Sequence, residues 1–66
     1  MIAITKFGPV YRVKATPPHV PRPWSSLMPL AAREVVEELI RHGAHLHDAY
    51  DAMFEADPLR AAQELR

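Results

Sequence analysis

The chain reads as a mainly α protein: a small helical domain of two to three short helices, with an extended N-terminal arm that can close into a β-hairpin and a proline-rich strap. Three observations predict this. Residues 29–57 carry two apolar stripes at helical spacing, residues 1–14 are rich in β-branched and aromatic side chains, and Pro17, Pro18, Pro21 and Pro23 crowd the stretch between them. Sixty-six residues make one domain. Within it, residues 1–24 form the extended basic arm and strap, and residues 25–66 form the helical core.

In the arm, Ile2, Ile4 and Thr5 are followed by Val10, Tyr11 and Val13, with Gly8-Pro9 as a break between the two runs. Two strands alone are hardly stable in water, so a hairpin here needs a surface beneath it or a third strand beside it. The expected surface is the chain's own helices; the sharper alternative is strand addition to another protein. Each proline of the strap fixes φ near −65° and removes a donor, which predicts a stiff, polyproline-like crossing. Trp24 at its end is expected to plug the core. Pro18 and Pro21 form a P-x-x-P, but no basic residue stands at the spacing that ligands of this kind need.

The first helix is predicted from Met28, Ala32, Val35, Val36, Leu39 and Ile40 on one face and Arg33, Glu34, Glu37, Glu38 and Arg41 on the other. Pro29 suits its first turn, Ser25 or Ser26 its cap, and Gly43 the position past its end. Arg33 to Glu37 and Glu37 to Arg41 are i,i+4 pairs, each contributing about 0.3 kcal/mol. Leu46, Ala49, Tyr50, Met53 and Phe54 form the second stripe. Asp57-Pro58 then stops one helix and caps the next, whose apolar side is Leu59, Ala62 and Leu65.

The net charge of zero conceals a strong division. Up to Arg33 the chain has five cations, Lys6, Arg12, Lys14, Arg22 and Arg33, and no acid; from Glu34 onward eight acids face three arginines, so the two parts carry about +5 and −5. A basic arm with Tyr11 between cations could meet nucleic acid. Five charges over thirty residues are thin for that task, and nucleic acid is the disfavoured partner. The expected arrangement is that the arm lies across the acidic helices and neutralises them. A helix-turn-helix is disfavoured because the exposed side of the second helix, His47, Asp48, Asp51 and Glu55, would be repelled by phosphates.

The run ELIRHGAHLHDAYDAMFEADPLRAAQELR, residues 38–66, resembles a ubiquitin-associated domain, with His42-Gly43-Ala44 at the glycine-containing first loop and Leu59, Ala62 and Leu65 in the third helix. The resemblance implies a three-helix shape that binds proteins through loop one and helix three. Where that family carries a large apolar residue after the loop glycine, this chain has Ala44, so ubiquitin binding is not carried over.

No enzyme is expected. There is no cysteine, Ser25 and Ser26 lack a nucleophile context, and two glycines cannot build a phosphate loop. His42, His45, His47, Asp48 and Asp51 have the right atoms for a metal, but His42 and His45 flank a helix break and the helix dipole accounts for His42 and Asp48; neither metal nor cofactor is expected. No apolar run approaches a membrane span and no signal peptide is evident, which together with the missing cysteines predicts a soluble cytoplasmic protein. The resulting expectation is a non-enzymatic protein–protein interaction module, a small regulator, adaptor or inhibitor of the bacterial or phage type, whose partner is a larger protein or a second copy in a homodimer. The expected contacts are the arm, through Ile2, Ile4, Tyr11, Arg12, Val13 and Lys14, and the acidic helix face, through Asp48, Asp51 and Glu55.

Overall fold

The structure, a computed structural model describing residues 1–66, is α+β. Strands β1 (Ile2–Phe7), β2 (Val10–Ala15) and β3 (Trp24–Pro29) precede helices α1 (Ala32–Arg41), α2 (Leu46–Ala56) and α3 (Pro58–Leu65). Strands hold 27% of the residues and helices 44%, which overturns the mainly α expectation. The strands form one antiparallel sheet in the order β1-β2-β3, and the helices cover one of its faces. A sheet with one helical layer is a two-layer arrangement, in keeping with a shortest extent of 16 Å.

The hairpin that the arm's composition allows is formed. Phe7 pairs with Val10 across a two-residue turn, Gly8-Pro9, in which Gly8 has φ +60°. Proline cannot take positive φ, so only the turn with glycine first and a single positive φ is open to this dipeptide. The third strand is where sequence and structure part. The local sequence predicts a helix start at Met28 and Pro29 with Ser25 or Ser26 as its cap, but residues 24–29 pair with β2 from Ala15↔Trp24 to Val10↔Pro29. Pro29 is compatible with that role because β3 is an edge strand, where a missing donor costs least. Helix α1 starts three residues later, and the cap of its first turn comes from elsewhere. The Arg33 N–H donates to Glu64 Oε1 at 3.4 Å, and the Arg33 guanidinium donates to the Glu64 carbonyl at 2.9 Å. The predicted i,i+4 pairs through Glu37 give way to Glu38, which holds Arg41 at 2.9 Å and His42 at 3.4 Å.

The buried cluster draws on every layer: Tyr11, Val13 and Ala15 from β2, Val20 from the strap, Ala32, Val35, Val36 and Leu39 from α1, Ala44 from the loop, Ala49 and Met53 from α2, and Ala61 from α3. Full burial of a side chain such as Leu39 or Met53 contributes about 2 kcal/mol. Val20, not Trp24, is the strap's plug; Trp24 is half-buried in β3 and stacks on His42 with ring centroids 4.4 Å apart. In α3 the inward side is Ala61, Ala62 and Leu65, and Leu59 is left in solvent. The strap crosses the α1–α2 loop so closely that Pro21 occupies the space where a Cβ on Gly43 would stand, 2.6 Å from its Cδ. The P-x-x-P segment is therefore packed down, with Val20 in the core and Pro21 on Gly43.

One polar group sits at the centre of these layers. The hydroxyl of buried Tyr11 donates to Asp57 Oδ2 at 2.7 Å, Asp57 Oδ1 accepts from the Arg60 N–H at 3.3 Å, and Arg60 Nη1 donates to the Leu30 carbonyl at 3.2 Å. Arg60 Nε is buried without a hydrogen bond of its own and has the Asp57 carboxylate 3.5 Å away as a Coulombic partner. Burial, and then the bond to Asp57, pushes the Tyr11 hydroxyl well above the usual tyrosine range. The same hydrogen bond holds the Asp57 carboxyl below the usual carboxylate range, against the opposing effect of its burial.

The signs of these shifts fix two pH limits. Asp57 contributes stability that is present above its unfolded pKa of about 3.9 and is lost as pH falls through the lower folded value. Tyr11 contributes stability that is present below its unfolded pKa of about 10 and is lost as pH rises beyond it. Urea denaturation of Tyr11→Phe should show a loss of about 1.5–3 kcal/mol at neutral pH, the range for a hydrogen bond to a charged group, and a shallower acid decline than the wild type. Gly43→Ala should destabilise more than Gly8→Ala, because both residues have positive φ but only Gly43, at φ +105°, also meets a neighbour. Thermal melts of the two variants check the order.

Candidate functional site

Alternation along the strands assigns each side chain to a face. Tyr11, Val13 and Ala15 point at the helices, with Ile2, Ile4, Trp24 and Met28 beside them. The opposite face therefore carries three cross-strand rows: Phe7, Val10 and Pro29 at the hairpin-turn end; Thr5, Arg12 and Leu27 in the middle; and Ala3, Lys14 and Ser25 at the far end. No helix covers this face. Antiparallel sheets with one face in water normally alternate apolar inward and polar outward. Here the far end follows that rule and the turn end breaks it, with Phe7 58% and Leu27 66% exposed. Phe7, Val10, Arg12 and Leu27 line a broad open hollow of about 590 Å³ that reaches Ser25 and Ser26 on β3.

The electrostatics of this face are one-sided. Arg12 and Lys14 lie on its central strand, neither is in a salt bridge, and none of its outward positions is acidic. The acids are elsewhere. Asp48, Asp51 and Glu55 lie on α2 around a second hollow of about 190 Å³ shared with Ile2 and His19, and His19 Nδ1 is 3.3 Å from Asp48 Oδ2. The expectation that the basic arm neutralises the acidic helices is thus not met by Arg12 and Lys14, which point away from them. Lys6, level with inward Tyr11, is near enough to Asp57 to help hold its carboxyl low, and Arg33 bonds Glu64, so part of the N-terminal charge does meet the helices.

The residues named from the sequence as contacts consequently separate into three groups. Arg12 and Lys14 are on the open face. Asp48, Asp51 and Glu55 are together on α2. Tyr11 and Val13 are fully buried, so they are fold residues that a partner cannot reach, and Tyr11 cannot stack on a base. Ile2 and Ile4 are half-buried against Ala52 and Ala56 of α2, where they close the core at the β1 edge. Phe7, Val10 and Leu27 went unrecognised. A signal for two of them was present: setting Tyr11 and Val13 inward forces Val10 outward, and a two-residue turn then sets Phe7 opposite it. Leu27 carried no such signal, because its position depends on a strand that the local sequence disguises.

His45 and His47 stack on each other with ring centroids 5.5 Å apart, while His19 and His42 are engaged elsewhere. His42 lies against the Trp24 ring and Glu38, and His45 Nδ1 accepts the His47 N–H at 3.1 Å as the cap of α2. No group of three or more His, Asp or Glu side chains is placed to hold a metal ion. The likeness to a ubiquitin-associated domain stops at three mutually packed helices, since α2 also packs on β1 of a sheet and Ala44, at the loop position of that family's binding patch, is itself buried. No helix is long and apolar enough to cross a membrane. Comparison with protein-family models, with curated proteins and with solved structures gave no match, so the chemistry of the open sheet face is what guides a functional reading.

Proposed function

We propose that this protein is a non-enzymatic protein–protein interaction module, a small regulator or adaptor that docks on a larger protein through the open face of its sheet. The observation that carries this reading is the break in alternation at the turn end, where Phe7, Val10, Leu27 and Pro29 form one contiguous apolar area on a chain too small to spare it. A 66-residue domain gains little from each buried side chain it forgoes, so large apolar residues held in water on a rigid sheet favour a use outside the fold. Exposed aromatic and aliphatic anchors beside arginine are also the side chains that dominate binding energy at protein interfaces. The polar side chains in the most distinctive environment, Tyr11, Asp57 and Arg60, are bonded to one another between sheet and helices, which supports a role in folding and not in catalysis.

A photo-cross-linking residue in place of Leu27 should give discrete protein adducts in source cells, and the same residue in place of Glu37, exposed on α1, should not. Phe7→Lys, an exposed change expected to leave the melting temperature within a few degrees, should remove the adducts. Adducts at position 37 only, or adducts at position 27 that survive Phe7→Lys, would overturn the proposal.

A further inference from the structure

The charge on the open face narrows the kind of partner it fits, given the reading of that face as a docking surface. We infer that it takes an acidic amphipathic α-helix of another protein, with the helix's apolar stripe over Phe7, Val10, Leu27 and Pro29 and its carboxylates on Arg12 and Lys14. Shape permits this. Three strands about 4.8 Å apart and six residues long give a face roughly 14 Å by 20 Å, the footprint of one helix about 11 Å across and about 13 residues long. The opposite face of the same sheet already accepts helices, and a second layer there would complete a three-layer arrangement.

Complementarity selects the sign. Arg12 and Lys14 have no acid among their outward neighbours and no ion-pair partner, so a helix bearing carboxylates supplies what the face lacks, and a basic helix would add like charge to it. The other occupants fit less well. Two copies joined symmetrically through this face would bring four cations, Arg12 and Lys14 of each, into one interface with no outward acid to offset them. A head-to-tail pairing with Asp51 and Glu55 of another copy would be a heterologous contact that builds rings or open filaments, not a simple pair. Single-stranded nucleic acid would find only Phe7 as a stacking surface, with Val10, Leu27 and Pro29 in the positions where sheet platforms for bases need further aromatics.

The test is titration of ¹⁵N-labelled full chain, followed by NMR, with four probes: an 18-residue helical peptide with a leucine stripe flanked by glutamates, the same peptide with lysines for glutamates, a glutamate-rich peptide without the stripe, and a 15-nucleotide oligothymidine. The acidic amphipathic peptide should shift the amides of Phe7, Val10, Arg12 and Leu27, and bind at least about tenfold more tightly than the other three at low salt, with the advantage shrinking at 0.5 M salt. The double variant Arg12→Glu, Lys14→Glu should reverse the preference toward the lysine peptide, a readout that a merely misfolded variant would not give. Equal binding of both leucine-striped peptides at this face would overturn the inference and leave the docking surface standing. Binding of neither, together with missing adducts at position 27, would remove both. Preferential binding of the oligonucleotide, or concentration-dependent self-association that shifts the same amides without any probe, would overturn the inference in favour of nucleic acid or of a second copy.

Discussion

The hydrogen bond from Tyr11 to Asp57 is the contact on which the arrangement of layers depends. It joins the middle strand of the sheet to the junction between α2 and α3, 46 residues away in sequence, at 2.7 Å. Tyr11 is buried, so its hydroxyl needs a partner, and Asp57 is the cap of α3, so its carboxylate is already committed to the Arg60 N–H. Each satisfies the other. Arg60 extends the connection to the Leu30 carbonyl, just past the end of β3, so one small polar cluster fixes the middle strand, the β3–α1 connection and both C-terminal helices. An apolar core alone tolerates sliding between a sheet and its helices; directional bonds buried among them do not.

With the helices fixed to one face, the two-residue period of the strands decides the chemistry of the other. Every residue that serves the core on β2 is separated by one that cannot, and those are Val10, Arg12 and Lys14. The polarity of the molecule follows from this alternation and from the order of charges in the chain. Of the N-terminal cations, Arg12 and Lys14 reach the open face of the sheet, while the eight acids lie on and between the helices on its other side. A chain of zero net charge thus keeps two unpaired cations, Arg12 and Lys14, on a face with no outward acid.

The apolar end of the open face is coupled to the hairpin turn. Gly8-Pro9 admits only a tight two-residue loop, which sets Phe7 directly opposite Val10, and the β2–β3 register then adds Pro29 to the same row with Leu27 diagonal to it. A shift of one residue in either register would turn Leu27 or Phe7 inward. The strap secures the β2–β3 register, since Val20 in the core and Pro21 against Gly43 leave the connection no slack. Fold-holding residues in the strap and the exposed apolar surface are consequently parts of one geometric constraint.

The amino-acid sequence by itself determined the local elements whose signals are local: extended backbone on either side of Gly8-Pro9, the stop at Gly43 from its freedom to take positive φ, the cap at Asp57-Pro58, and the inward sides of α1 and α2 apart from Ile40 and Leu46, which the spacing places inward and the structure leaves exposed. It also determined the charge division. Tertiary structure alone decided the fold class, because the segment Trp-Ser-Ser-Leu-Met-Pro has weak strand propensity and a serine–proline pattern that reads as a helix start, and becomes a strand only by pairing with a β2 edge nine or more residues away. That one pairing converted an arm on a helical bundle into a sheet, moved Tyr11 and Val13 from the surface to the core, and created the face that carries Phe7, Val10 and Leu27. A helix is specified by neighbours within a turn, whereas an edge strand is specified by the backbone of another strand, and that information is not present in the segment that forms it.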